Sequence, residues 1–284
     1  MKRAVAVAPS SAWDPARLAR GVAKARELGI DVDVTATLAP DLWRSATPEV
    51  RIAELLAATS RDDIDGVWLV RGGEGLLGLL GDLPLGALGR RPILGFSDAT
   101  ALAAGIWAAG AATPFVHGPV LHALPDADDA TCEAVAAWWA GRPAAPLRGR
   151  VVVPGRAEGP LVGGNLHILA SLCGTPWQLN ANGSILVLED VGEPAYRLGR
   201  AIAQLRAAGG FDGVRAIALG TFHDCRGGAD YSAEDAVLRL LAPLGCPILA
   251  DLPIGHGAAN VPWRFGATAR LDADALTLDA APVG

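Results

Sequence analysis

Apolar positions in this chain come in two spacings. Short unbroken runs, "AVAVA" at 4–8, "GVWLV" at 66–70 and "PILGF" at 92–96, read as strands buried on both faces. Between them the spacing turns helical. Leu18, Val22, Ala25 and Leu28 share one face behind Asp14-Pro15, an N-cap followed by a proline in the first turn, and Gly29 stops the helix. "IDVDVT" alternates and predicts a second strand. "TPEVRIAELLAATS" opens on Thr47-Pro48, another cap-and-proline start. "RGGEG" follows the third strand and leads into a Leu-rich helix or turn. "DATALAAGIWAAG" predicts the helix after "PILGF". This strand-helix order predicts a parallel sheet with helices on both faces, an α/β fold.

The texture changes near Pro125. The predicted helix "DATCEAVAAWWAG" gives way to the Pro/Arg/Gly-rich "RPAAPLRGR". The expected division is therefore an N-terminal domain at 1–125, a crossover at 126–150 and a C-terminal domain at 151–284. Trp138 and Trp139 are adjacent and cannot share a helix face, which suggests a domain contact. The second part reads as "VVVPGRAEGPLVGGNL", a helix, the strand "SILVLED" and the helix "AYRLGRAIAQLRAAG". The strand "AIALGTF", the helix "AEDAVLRLL" and the strand "PILADLP" follow. The tail alternates about Asp272-Ala273-Asp274 like a terminal hairpin.

Composition narrows the partners. The 284 residues are 51% apolar and 19% charged, enough for one large or two smaller soluble domains. A net charge of −6, without a run of Lys or Arg, argues against nucleic acid and membrane surfaces as partners. The apolar stretch in "MKRAVAVAPSSAWDP" is cut short by Pro9, below the roughly 7–15 residues of a signal-peptide core. Nothing approaches the ~18 apolar residues of a transmembrane helix. A cytoplasmic address is the expectation. Four cysteines at long, irregular spacings make neither a zinc site nor a disulfide framework. No metal and no cofactor are expected.

Catalytic groups in open α/β sheets gather beyond the carboxyl ends of strands. Ser97 follows "PILGF", Glu189 follows "ILVL" and His256 follows "PILADLPIG". A nucleophile, a carboxylate and a base on three segments suit acyl transfer. Each has a plainer reading. Ser97 also suits a helix cap, although Asp98 is an equally good one, and Gly95-Phe96-Ser97-Asp98-Ala99 echoes the G-x-S-x-G elbow. Asp190 and Glu193 compete with Glu189. His117 and His223 compete with His256, while His167 lies in a helical pattern. The "RGGEG" loop lacks the Lys-Ser/Thr of a phosphate loop and better suits an oxyanion hole, one N–H coming from this loop and one from Asp98. Asn165 reads as a helix cap. Arg71 reads as a carboxylate anchor or as half of a salt bridge.

Together "VAVAPSS", "GVWLVRGGEG", "PILGFSDATAL", "GPLVGGNLHILASLCGTPW", "SILVLEDVGEPAYRLGRAIAQL" and "PILADLPIGHGAANVPWRFGATARLD" resemble the LD-carboxypeptidases. These are serine peptidases of murein peptides, in a family that also holds microcin C immunity hydrolases. The resemblance implies a Ser-Glu-His triad at Ser97, Glu189 and His256. It implies oxyanion donors at Gly73, or its neighbour Gly72, and at Asp98. It further implies an N-terminal α/β domain and a C-terminal mixed α+β domain with the site at their junction, in a cytoplasmic homodimer without metal. The expected substrate is a small peptide, a murein tetrapeptide losing its terminal D-Ala. Two departures bear on specificity. Glu74 stands where an aromatic residue is common, beside Arg71 as a substrate-binding candidate, and Trp263-Arg264 interrupts a more apolar segment. A peptidyl-nucleotide amidase, with Trp177 or Trp263 stacked on a base, and a non-catalytic two-domain binding protein are the alternatives.

Overall fold

The computed structural model describes residues 1–272 and 275–278, and side chains through 272. The chain runs β1 (Lys2–Val7), α1 (Pro15–Glu27), β2 (Ile30–Val34), α2 (Pro48–Thr59), β3 (Gly66–Leu69), α3 (Leu76–Leu79), β4 (Ile93–Gly95), α4 (Ala99–Ala108), β5 (Phe115–His117) and α5 (Asp129–Trp139). It continues through β6 (Leu147–Arg148), β7 (Arg150–Val153), β8 (Arg156–Asn165), α6 (Leu166–Ser171), β9 (Ile185–Val191) and α7 (Ala195–Ala207). β10 (Ala216–His223), α8 (Ala233–Leu241), β11 (Ile248–Ala250), β12 (Trp263–Arg264), β13 (Thr268–Asp272) and β14 (Ala275–Leu278) complete it.

Among the described residues these strands make two sheets. The first has the order β12-β5-β4-β3-β1-β2. β1 to β5 are parallel, and β12 joins the edge antiparallel to β5. The order places a switch point between β1 and β3, where loops diverge and leave a crevice. The second sheet, β6-β14-β13-β8-β9-β10-β11-β7, has a parallel centre, β8 to β11, flanked by antiparallel strands. The expected two-layer α/β architecture is what the chain adopts, but the first sheet is not wholly parallel as expected: its edge strand β12 runs antiparallel, so both sheets are mixed. β13 and β14 pair as the expected hairpin, while its turn at 273–274 lies outside the described residues.

Alternation explains the two-faced burial of the first sheet. Ala4 and Ala6 face Leu18, Val135 and Trp139, whereas Val5 and Val7 face Leu55, Leu76 and Leu102. Trp139 packs on Trp68 with ring centroids 5.5 Å apart. α5 thus covers the first sheet, and the Trp138-Trp139 pair belongs to that contact rather than to one between domains. Asp14 caps α1, accepting the Arg17 N–H at 2.6 Å. Thr47 begins α2 in extended conformation but makes no side-chain cap.

α4 holds the two halves together. Eight of its ten residues are buried, because it is covered by its own sheet on one side and by α6 and β8 on the other. Thr100 Oγ1 accepts the Asn165 N–H at 3.1 Å, tying the start of α4 to the end of β8. Asn165 in turn caps α6, accepting the Ile168 N–H at 3.1 Å.

Candidate active site

Ser97 occupies a strained turn between β4 and α4. Its φ is +64°, in the left-handed region that costs a non-glycine residue about 1–3 kcal/mol. The turn lifts its hydroxyl off both the strand and the helix. Gly72 lies directly against it: a Cβ there would come within 2.9 Å of Ser97 Cβ and 3.1 Å of Oγ. The expected cap is corrected here. The Asp98 side chain does not cap α4; it turns back to accept the Leu76 N–H at 3.0 Å. Burial pushes the Asp98 carboxyl above its ordinary pKa, against that N–H, which favours the anion.

Glu189 and His256 arrive from the second sheet. Glu189 lies on β9 and is 0% exposed. Gly255, at φ +129°, leaves its carboxylate room, since a Cβ there would lie 3.0 Å from Oε2. His256 Nδ1 is 2.7 Å from Glu189 Oε2, and its Nε2 is 2.9 Å from Ser97 Oγ. Nδ1–H donates to the carboxylate, so Nε2 faces the hydroxyl as acceptor. The Phe96 ring packs on His256 at 4.6 Å between centroids. Burial alone would lower the His256 pKa. The charge and hydrogen bond of Glu189, with help from Asp190, outweigh burial and leave it raised.

The competing residues go elsewhere. Successive side chains of a strand point to opposite faces, so Asp190 faces away from Glu189. It accepts from Asn165 Nδ2 at 3.0 Å, and its Oδ2 lies 2.8 Å from His167 Nδ1. Glu193 lies 3.5 Å from Arg197. His117 is buried against Trp263, its ring stacked at 5.0 Å. Burial, reinforced by the charge of His256, pulls its pKa down to about 3. His223 is half-exposed beside Asp224, and His122 Nε2 lies 3.0 Å from the Asp14 carbonyl.

The glycine loop faces Ser97 from the end of β3. Neither the Gly73 N–H nor the Asp98 N–H finds an acceptor among the described residues. Ser11, beyond β1, accepts the Glu74 N–H at 3.0 Å. Arg71 Nη1 donates to the Ala12 carbonyl at 2.6 Å, in place of the alternative salt bridge. The Glu74 carboxylate accepts from Trp43 Nε1 and pairs with Arg44 at 3.3 Å, so its charge is offset locally. Trp263, 1% exposed beneath His117, has no face left for a base, which overturns its proposed stacking role. Trp177 is half-buried against the core.

Three roles here are missed from sequence: Ser11 and Arg51 as partners of the glycine loop, and the Asp98 carboxylate as acceptor of the Leu76 N–H. Arg51, on α2, is 2% exposed despite its charge. Among the described residues, no three His, Cys, Asp or Glu side chains converge as a metal site, and no helix is long and apolar enough to cross a membrane.

A strained serine under a glycine loop, with a carboxylate-bound imidazole at its hydroxyl, is the arrangement of a hydrolytic α/β enzyme. The chain belongs to the LD-carboxypeptidase family: residues 5–118 match the family's N-terminal domain and residues 158–271 its C-terminal domain. It is thereby a peptidase, and the alternative of a non-catalytic binding protein falls away. It is 38% identical over 253 residues to the murein tetrapeptide carboxypeptidase of Pseudomonas aeruginosa, covering 82% of this chain and 81% of that protein. It is 26% identical over 302 residues to the microcin C7 self-immunity protein MccF of Escherichia coli, covering 94% and 88%. The fold matches that of muramoyltetrapeptide carboxypeptidase from Oxalobacter formigenes with a TM-score of 0.87, at 25% identity over 98% of both chains.

Proposed function

We propose that the protein is a serine-type LD-carboxypeptidase that removes the terminal D-Ala from murein tetrapeptides. The observation that carries this reading is the continuous hydrogen-bonded line from Ser97 Oγ through His256 to Glu189, at 2.9 and 2.7 Å. Ser97 attacks the amide carbonyl between the diamino acid and D-Ala. His256 Nε2 takes the hydroxyl proton and then delivers it to the leaving amine. Glu189 holds the tautomer and stabilises the imidazolium. The oxyanion is met by the N–H groups of Asp98 and of Gly73 or Gly72. Water, deprotonated by His256, releases the tripeptide from the acyl-enzyme. Arg71 anchors a substrate carboxylate, and Glu74 shapes selectivity at the same rim.

The murein substrate rests on the relatives named for it, and the family resemblance extends the reading to a homodimer working in the cytoplasm. Ser97→Ala is the test. It should lower kcat on murein tetrapeptide by at least about 10⁴-fold with an unchanged melting temperature. Turnover at the wild-type rate would overturn the mechanism. A peptidyl-nucleotide amidase using the same three residues is the competing assignment, and a side-by-side assay with an aminoacyl sulfamoyl adenosine separates the two.

A further inference from the structure

Every glycine of the loop after β3 is matched to a different neighbour. Gly72 faces Ser97. A Cβ on Gly73, at φ +105°, would strike Ser11 Oγ at 2.3 Å. A Cβ on Gly75, at φ +142°, would strike Arg51 Nη1 at 2.7 Å. The first contact sets the nucleophile. The other two mark where the loop is held from behind.

Arg51 is the unusual member. It sits on the buried face of α2, where an aliphatic residue would complete the helix pattern. Burying a guanidinium is costly, and here the cost is only partly offset, since Nε has no partner among the described residues. Its Nη1 donates to the Pro9 carbonyl at 2.7 Å and to the Gly75 carbonyl at 3.3 Å. Pro9 lies beyond β1 and Gly75 beyond β3, so one cation bridges the two strand ends at the switch point. Neighbouring ties act on the same few atoms. Ser11 Oγ accepts the Glu74 N–H at 3.0 Å and donates to the Glu74 carbonyl at 3.4 Å. Asp98 accepts the Leu76 N–H at 3.0 Å. Asp98 also offers its own backbone N–H beside Ser97, so its side chain couples the two donor strands of the proposed oxyanion hole.

We infer that Arg51 is a positioning residue for that hole: it fixes the glycine loop at Gly75 so that the Gly73 N–H meets the developing oxyanion. The inference rests on Ser97 being the nucleophile, as proposed above. Arg51 lies behind the loop and touches no substrate. Its effect is therefore confined to interactions that arise when the carbonyl becomes tetrahedral, because preorganised donors act on the oxyanion rather than on bound substrate.

The test compares Arg51→Met and Arg51→Lys with wild type. The readouts are kcat and KM on murein tetrapeptide, inhibition by a peptidyl boronate that forms a tetrahedral serine adduct, and inhibition by the tripeptide product. Arg51→Met should lower kcat by about 10- to 100-fold with KM changed less than about threefold. The boronate should weaken in proportion and the tripeptide should not. Arg51→Lys, which keeps the charge and a donor nitrogen, should recover part of the loss. Should Arg51→Met fail to fold, Arg51→Lys alone must show the same parallel loss of kcat and boronate affinity. Folded variants with wild-type kcat, or boronate and tripeptide affinities falling together, would overturn the inference. Ser97→Ala run alongside separates the two ideas. An active Ser97→Ala removes the mechanism itself, whereas an inactive one beside a fully active Arg51→Met removes only the role of Arg51.

Discussion

His256 Nε2 and Ser97 Oγ stand 2.9 Å apart although 159 positions separate them in the chain. The hydroxyl follows β4 of the first sheet and the imidazole follows β11 of the second. Their approach depends on α4, which carries Ser97 at its start and is packed against both layers. The Thr100–Asn165 bond fixes that packing one turn from Ser97. The site is therefore a property of the docked pair of sheets, and neither half contains it alone.

The Glu189–His256 pair makes a prediction about pH. In the proposed mechanism His256 must be neutral to accept the Ser97 proton, and its pKa lies above the ordinary histidine value. The acid limb of kcat/KM should thus have a midpoint above about 6.5, with activity falling tenfold per pH unit below it. Glu189→Gln removes the Glu189 charge and its charge-assisted hydrogen bond, the larger contributions that raise the pKa, and leaves only the charge of Asp190 against burial, which lowers it. The limb should move to lower pH while kcat at its plateau falls by about 10²- to 10⁴-fold, because Nδ1 loses its tautomer-fixing anion. A pH–rate profile of both proteins checks direction and size. An unmoved limb would mean that another group titrates.

His117 predicts an acid weakness in the fold. Its ring is buried between Trp263 and Phe96, and neither ring nitrogen has a hydrogen-bond partner in the described structure. With a folded pKa of about 3, it stays neutral while the unfolded chain takes up a proton below about 6.5. Between those values unfolding binds one more proton, so this residue costs the native state about 1.4 kcal/mol of stability for each pH unit lost. His117→Phe keeps an aromatic ring of similar shape and removes the titration. Urea unfolding at pH 7.5 and pH 5 should show the variant losing about 2 kcal/mol less than wild type on acidification. Equal losses would show that His117 is protonated in the native state.

Much of the frame is legible from pattern alone. Unbroken apolar runs mark β1, β3 and β4 because strands covered on both faces need no polar side. Asp14 and Asn165 act as caps because the bond they make is local to the residues beside them. What is hidden depends on distant partners. Asp98 reads as a cap, but Leu76, twenty-two positions upstream, takes its carboxylate. Nothing beside Arg51 in the sequence announces its burial, which depends on Pro9 and Gly75 converging on it. β12 is two residues long, too short to announce its return to the first sheet, and that return buries Trp263 on His117. Among the five histidines, only the assembled structure distinguishes His256 by contact, since its sequence neighbours are glycines that would suit any loop.

Gly72 makes the last prediction, and it concerns room rather than charge. Its φ is not in the left-handed region, so alanine there meets no backbone penalty of that kind. The added Cβ would instead press on Ser97, at 2.9 Å from Cβ and 3.1 Å from Oγ. Ser97 already sits at φ +64° and has little freedom to retreat without breaking its contact with His256. A displacement of even 1 Å from productive geometry can cost about 10²-fold in rate. Gly72→Ala should therefore fold, melt within a few degrees of wild type, and lose about 10²-fold in kcat. Its labelling by a serine-reactive fluorophosphonate should slow in parallel, because both reactions use the same hydroxyl and the same line of approach. Normal labelling with lost turnover would instead assign the methyl group's effect to substrate placement, and wild-type values in both would show that the loop yields where the geometry holds it closed.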